Sequence, residues 1–512
     1  MVKTTTYTPM MASCTRLVSR AGVLPFAHVA QLVGIGASLD RVFSRQRLTH
    51  TFGDACTGLA LSLIAGGDDV KDINLLDSVS TALSSQPLPS VSTLWRRLTE
   101  HKDTSDKIRE EFLHAIKYAR STLWNLLGDQ APHKLATVDK PLIVDIDATL
   151  ICAHSGKEKA APTYKKGFGF HPLCAFIDYT SVGLTGGEFL TCLLRPGNAG
   201  ANTANDHCQL VKEILTALPD HSDGKPWGKR LVIRADSAGG TKQFLSSLDD
   251  HDLGYVVGFS PSPTASILLN EHIRSGNEAT SHTDYRSLRN TRVPIVRGNG
   301  DISFDDQHFL EDITGLLQTA HLEDDKPLVN LLTDYPTTMR VIARIESPHA
   351  GCQHSIFNQL GIRTQLCATN LNCNIQRIDQ YYRQRSLCEQ HIKDAKDQGL
   401  AKLPFCQFKA NQIWCLIITL AHQLLTWTKL LDHHYNNHNS GNNKKRNQSD
   451  NPWWTWAPKT IRARFIAISA KITTSSRRIY LHLDQQSTHT PTLVTLMEYT
   501  QNLLRPLKKR KT

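Results

Sequence analysis

Asp147, Asp236 and Glu389 are three carboxylates placed where metal-dependent chemistry could be built. Asp147 closes the β-type run Leu142-Ile-Val-Asp-Ile-Asp147, and Asp236 closes a second one inside Val232-Ile-Arg-Ala-Asp-Ser237. Strand ends in an α/β sheet collect functional side chains, because the sheet fixes their direction while leaving them open to substrate. Three gathered carboxylates repel one another unless cations sit among them, and their hard oxygens suit Mg²⁺ or Mn²⁺. Two such ions about 4 Å apart can activate a water and stabilise the departing oxygen of a phosphodiester. Taken singly, each acid has a plainer explanation as a helix cap or turn residue. Asp145 is a second candidate for the first position, because it alternates onto the same strand face as Asp147.

The third acid lies in Tyr382-x2-Arg385-x3-Glu389-x6-Lys396. At about 100° per residue these four side chains share a helical stripe roughly 60° wide, with Leu387, Cys388 and Ala395 on an apolar back. Arg385 and Glu389 are also an i, i+4 pair, so spacing alone favours a salt-bridged surface over catalysis. A tyrosine and two cations flanking one acid would suit a DNA backbone passing a metal site, the cations holding phosphates.

The elements that must position these residues follow from periodicity. Apolar spacing predicts helices over Leu24–Val33, Ala55–Ala65 and Ile108–Leu127. Ser90 opens another, Leu94-Trp-Arg-Arg-Leu98, whose Arg96 and Arg97 could read DNA, although a short basic helix is commonly just solvated. From residue 141 strands are expected at Leu142–Asp147, His171–Asp178 and Glu188–Leu194, then a helix at Asn205–Leu218 and a strand at Arg230–Ala235. A helix at Lys242–Leu248 and a strand at Gly254–Phe259 complete a β-β-β-α-β-α-β order. That is the order of a ribonuclease-H-like core. A mainly β insertion with runs Arg340–Ile345 and Thr364–Thr369 follows, then helices from Cys373 to Leu431 and a polar Asn/His-rich loop over Asp432–Ser449.

The expected division is a helical N-terminal DNA-binding region (1–135), a first core part (136–260) and a β-rich insertion (261–370). A second core part carries the glutamate helix (371–432), and a basic C-terminal region (433–512) ends the chain. A chain of 512 residues exceeds what one hydrophobic core supports.

Residues 441–512 hold fourteen Lys or Arg against three acids, which accounts for the whole net charge of +11. Such a region favours a polyanion, nucleic acid being the usual one. The twelve cysteines show no zinc-ligand spacing and fit reduced thiols. No signal peptide is read at the start, and the apolar stretch Ile413–Leu431 is expected to be a buried helix, so a cytoplasmic protein without a membrane partner is expected. His433, His434 and His438 fit a polar loop better than a metal site, and Trp453, Trp454 and Trp456 fit packing at least as well as base stacking. No Gly-x4-Gly-Lys-Ser/Thr phosphate loop is present.

Several ordered motifs carry a resemblance: Gly66-Gly67-Asp-Asp, Asp145-Ile-Asp-Ala-Thr149, Leu194-Arg-Pro-Gly-Asn198, Arg234-Ala-Asp-Ser237, Ala368-Thr-Asn370, Tyr382-Arg-Gln-Arg385 with Glu389, and Phe408-Lys-Ala-Asn411. Together they resemble the DDE insertion-sequence transposases with the Tyr-x2-Arg-x3-Glu-x6-Lys signature, in particular the insertion-sequence family numbered thirteen-eighty (group-1 transposase DDE domain). Tyr164-Lys-Lys-Gly167 and the Asn436–Asn443 stretch depart from that pattern.

The resemblance implies a triad of Asp147, Asp236 and Glu389 holding two Mg²⁺ or Mn²⁺ ions, the Asp-x-Thr context selecting Asp147 over Asp145. It implies cut-and-paste transposition by a homodimer on double-stranded DNA, acting on terminal inverted repeats and target DNA in the bacterial nucleoid. Tyr382, Arg385, Lys396, Arg96 and Arg97 are the expected DNA contacts. The rival readings are a transposase-derived DNA-binding protein without catalysis and a structure-selective nuclease on the same fold.

Overall fold

The computed structural model describes residues 17–43, 49–83, 87–100, 105–154, 156–276, 292–296, 302–306, 308–320, 328–346, 363–439, 453–475 and 478–509. The chain divides into two compact units, one of Arg120–Lys393 with Cys406–Phe408, the other of Met1–Ala119, Asp394–Phe405 and Lys409–Thr512.

The first unit is organised by an eight-stranded sheet. Its strands are β1 (Leu142–Ala148), β2 (Leu173–Asp178), β3 (Gly187–Leu193), β4 (Leu231–Ala235), β5 (Gly254–Phe259), β6 (His308–Asp312), β7 (Arg340–Glu346) and β8 (Arg363–Thr369). The spatial order is β6-β7-β8-β5-β4-β1-β2-β3. β1 pairs antiparallel with β2 and β2 with β3, whereas β1–β4 and β4–β5 are parallel, as connections through helices require. Those helices are α1 (Ala204–Ala217) and α2 (Lys242–Asp250). The strands contributed by 308–369 extend this same sheet antiparallel from the β5 edge.

β1, β4 and β5 are buried along nearly their whole length, which is why they read as continuous Val/Ile-rich runs rather than alternating ones. β1 opens to solvent only at its last two residues, Asp147 and Ala148. Ile143, Val232, Val256, Ile342 and Cys367 pack with Ile378, which anchors the next helix, α3 (Ile375–Arg383), on the sheet. α3 begins at Asn374, whose side chain accepts the Arg377 N–H at 2.9 Å.

The single helix expected over Tyr382–Lys396 is instead broken. α3 ends at Arg383, α4 (Ser386–Ala395) starts afresh, and Lys396–Leu400 is a π-turn containing Gly399 at φ +112°. The common stripe therefore does not exist as one helix face. Cys388 and Ala395 are buried as expected, but Leu387 is exposed. The expected polar loop from Asp432 is also corrected: the helix Phe408–Asn439 continues through its first part against the weak helix propensity of Asn and His, with Asp432 held by Trp453 and its carbonyl accepting from Asn436 Nδ2 at 2.8 Å. Residues 440–452 lie outside the described residues.

In the second unit the chain's beginning and end fold together. Leu17–Val18 pairs with Ala470–Ser475, which pairs with Arg478–Leu483. The helix Leu24–Leu32 packs on Thr490–Lys509. Phe52–Ile64 starts with a reciprocal capping box between Thr51 and Asp54, and Val91–Thr99 starts at Ser90, which accepts the Thr93 N–H. By length and composition Phe408–Asn437 could cross a membrane, and 94% of its most apolar window is buried within the folded chain. Trp453 stacks on Phe465 and donates to Asp432 at 2.8 Å, so it is a packing residue.

Candidate catalytic site

Parallel pairing of β1 with β4 sets the site's register. Ile146 lies opposite Ala235, so Asp147 and Asp236 are the next residues at the same end of neighbouring strands. Asp147 is 16% exposed in its side chain; its Oδ1 accepts the Ala148 N–H at 2.8 Å and its Oδ2 lies 3.2 Å from Arg385 Nη1. Asp236 caps the short turn Ser237–Gly239, its Oδ1 accepting the Ala238 N–H at 3.0 Å. Burial pushes the Asp147 carboxyl up to about 6; Arg385 opposes the rise, and the charges of Asp236 and Asp145 add to it. A buried carboxylate with a second one beside it is an electrostatic demand for a cation.

Asp145, two residues earlier on the same face, has a different environment. It is fully buried and gripped by Arg234 of β4 through two bonds, Nε–Oδ1 at 2.5 Å and Nη2–Oδ2 at 2.8 Å. The same guanidinium reaches Asp178 of β2 at 3.0 Å and donates to the Tyr381 carbonyl at 2.8 Å. Burial also pushes Asp145 up to about 6, against the hydrogen bonds and charge of Arg234. Arg234 thereby satisfies a carbonyl at the end of α3 that the helix itself leaves unpaired. This fixes where α3 stops, and so where Tyr382 and Arg385 begin.

Tyr382 closes the arrangement on the β5 side. A Cβ at Gly258 would lie 2.6 Å from the Tyr382 hydroxyl and 2.6 Å from the Ser237 nitrogen, so only glycine lets the ring sit beside Asp236. Burial holds the Tyr382 hydroxyl above its usual range, which keeps it a proton donor. α4 is located by His391: a Cβ at Gly187 of β3 would come within 2.2 Å of its Nε2, and its ring lies 5.7 Å from that of Phe176 on β2.

Glu389 stands exposed in the first turn of α4, next to buried Cys388, whose thiol is pushed far up by burial and then by the charges of Asp145 and Asp147. Among the described residues, no three His, Cys, Asp or Glu side chains converge closely enough to hold a metal ion. Instead Arg385 is the cation against Asp147. Lys396 lies in the π-turn of the other unit. There too, Arg96 is exposed, while Arg97 is buried, its Nε on the His50 carbonyl at 3.0 Å and its Nη1 on Glu100 at 2.8 Å.

Sequence reasoning missed the Arg234–Asp145–Asp178 cluster. Its signal was present in a charged residue inside Leu231-Val-Ile-Arg-Ala, a run too apolar to leave an arginine unpaired.

A mixed α/β sheet with acids at the ends of two adjacent parallel strands, one of them paired with an arginine, is the class the geometry defines. Over residues 9–505 the chain matches the family described as transposase DDE domain group 1, and it belongs to that family. No curated protein matches it in sequence. One solved structure that resembles it is a piggyBac transposase synaptic complex with hairpin DNA, at 10% identity and a TM-score of 0.37, with 92% of this chain and 88% of that chain covered.

Proposed function

We propose that this chain is a DDE transposase that cuts DNA at the terminal inverted repeats of a mobile element and joins the freed ends to target DNA. The observation that carries this reading is the placement of Asp147 and Asp236 at matched ends of parallel β1 and β4, where burial and then the charge of Asp236 raise the cost of ionising Asp147. The order β3-β2-β1-β4-β5, with its antiparallel and parallel pairs, supports a ribonuclease-H-like core. Membership of the DDE family supports the chemistry.

The donor set consists of carboxylate oxygens, which fits Mg²⁺ or Mn²⁺ and disfavours softer metals. Asp147 and Asp236 would hold such ions from neighbouring strand ends, and Glu389, which does not converge with them in the metal-free chain, would have to be drawn in to complete a two-ion site. When bound, the ions supply an activated water and stabilise the leaving 3′ oxygen of a phosphodiester. Asp145 is excluded from that role by its two bonds to Arg234, which leave it no open face.

Arg385 balances the charge of Asp147 and holds a backbone phosphate when DNA is bound. Tyr382 packs against the strand, and Lys396 and Arg96 contact phosphates. The basic C-terminal region adds affinity that is independent of sequence. Two element ends must be cut together, so the working form is a homodimer on double-stranded DNA.

The test is Mg²⁺-dependent cleavage of a duplex carrying the element's end, by wild type and Glu389→Gln. Loss of cleavage by about a hundred-fold or more is expected, and equal activity would overturn the assignment. Joined products with a target plasmid separate transposition from simple nicking.

A further inference from the structure

The chain between β1 and β2 forms a separate three-stranded appendage, Ile151–Cys152 and Ala161–Pro162 flanking Phe168–Phe170. Only Ala148, Thr149 and Leu150 separate it from Asp147. Its tip is closed by Thr163, whose N–H donates to the Gly167 carbonyl at 2.8 Å, while its own carbonyl and hydroxyl accept from Lys166 and Gly167. Lys166 is held at φ +61°, a conformation that costs a non-glycine residue energy.

This tip is braced from behind. A Cβ at Gly197 would lie 2.2 Å from the Ala161 carbonyl and 2.4 Å from that of Gly169, so Leu194-Arg-Pro-Gly-Asn198 fits directly against the appendage. Arg195 reinforces the join by donating to the His171 carbonyl at 2.9 Å and to Asp206 at 3.1 Å. On the other side Glu158 accepts the Phe408 N–H at 2.8 Å, and Lys159 sits 4.5 Å from the Phe408 ring centre.

A rigidly supported tip would ordinarily carry small polar residues. Here Tyr164, Lys165, Lys166, Gly167 and Phe168 are all exposed, Tyr164 at 67%, and Lys165 lies 5.6 Å from the Tyr164 ring centre. From Lys159 to Ile177 the sequence contains no acid. An exposed ring flanked by cations is the combination that binds a nucleic-acid strand, the ring stacking on a base and the cations taking phosphates. A tyrosine face is available only to a base that is not stacked in a duplex.

We propose that the Tyr164–Phe168 tip, on the appendage that follows Asp147 in the chain, is a clamp for unpaired nucleotides, with Tyr164 stacking on a base and Lys165 and Lys166 on its phosphates. This rests on the DNA-cutting reading above, because unpaired nucleotides arise where DNA ends are cut and opened.

The test measures anisotropy of the full chain with a fluorescein-labelled single strand and with its blunt duplex. Tyr164→Ala should bind the single strand roughly ten-fold or more weakly and the duplex nearly unchanged, with Tyr164→Phe behaving as wild type. Lys165→Ala with Lys166→Ala should flatten the log–log salt dependence of single-strand binding by about 1.4. Single-strand binding by Tyr164→Ala equal to wild type overturns the clamp, as does equal loss on both probes. Cleavage by wild type together with unchanged Tyr164→Ala binding sinks the clamp alone. Absence of cleavage together with selective Tyr164→Ala loss sinks the catalytic reading alone.

Discussion

Two arginine-centred clusters lie in succession along one face of β1, and they differ chiefly in how far water reaches them. Arg234 is completely buried and divides its guanidinium between Asp145 and Asp178 at 0% side-chain exposure. Arg385 is 23% exposed and meets Asp147, which is 16% exposed, at a single 3.2 Å contact. The inner cluster has geometry and no access, and it locks three strands and the end of α3. The outer one has access and looser geometry, so its cation can be exchanged. A site that binds and releases an anionic polymer needs the second kind, and needs the first kind to hold it in place.

The comparison is most severely tested by Arg234→Met. It strands two buried carboxylates, and loss of one partner of a buried ion pair costs about 3–5 kcal/mol, measurable as a lower urea midpoint. Asp145→Asn, which retains a hydrogen-bond partner for Arg234, should cost clearly less. Equal costs would show that Arg234 is not the organising group. Gly258→Ala comes next. Its Cβ would press on the Tyr382 hydroxyl and the Ser237 nitrogen, the latter being backbone that cannot swing aside. A loss of about 1–3 kcal/mol is expected, accompanied by weakened DNA cleavage, because the ring must leave Asp236.

Much of this framework is legible in the amino-acid order. The strand runs ending at Asp147 and Asp236 and the helices Leu24–Leu32, Phe52–Ile64 and Ala204–Ala217 lie within a few residues of where periodicity puts them. These segments have one dominant period and clear caps or turns. The break at Arg383–Ser386 was not legible, since Tyr382-Arg-Gln-Arg-Ser has no proline or glycine to announce it. Its cause is tertiary: Arg234, distant in sequence, takes the Tyr381 carbonyl. The extension of the sheet by β6–β8 was likewise hidden, because edge pairing depends on where β5 lies and not on a local signal.

The pH dependence of the metal-free protein sharpens the contrast further. Asp147 rises from an ordinary 3.8 to about 6 in the folded chain. Between those values the folded state keeps a proton that the unfolded state has lost, so stability falls as pH rises from about 4 to about 6 and the penalty persists above that. Asp147→Asn removes this contribution, and its stability should vary less across that window in thermal melts with chelator present. An unchanged profile would place the titration elsewhere, with Asp145 the first alternative because it too rises to about 6.

The smallest effect on stability, and the most discriminating on function, is expected from Arg385→Gln. The contact is partly exposed, so its loss should cost no more than about 1 kcal/mol. Removing the cation leaves Asp147 facing Asp236 with less compensation, and its carboxyl should titrate still higher. The same imbalance should make the pair a better receptor for a divalent cation. Mg²⁺ should therefore raise the Tm of Arg385→Gln more than that of wild type, while DNA binding weakens through the lost phosphate contact. If Mg²⁺ shifts both proteins equally, Arg385 does not compete for Asp147, and the outer cluster is as fixed as the inner one.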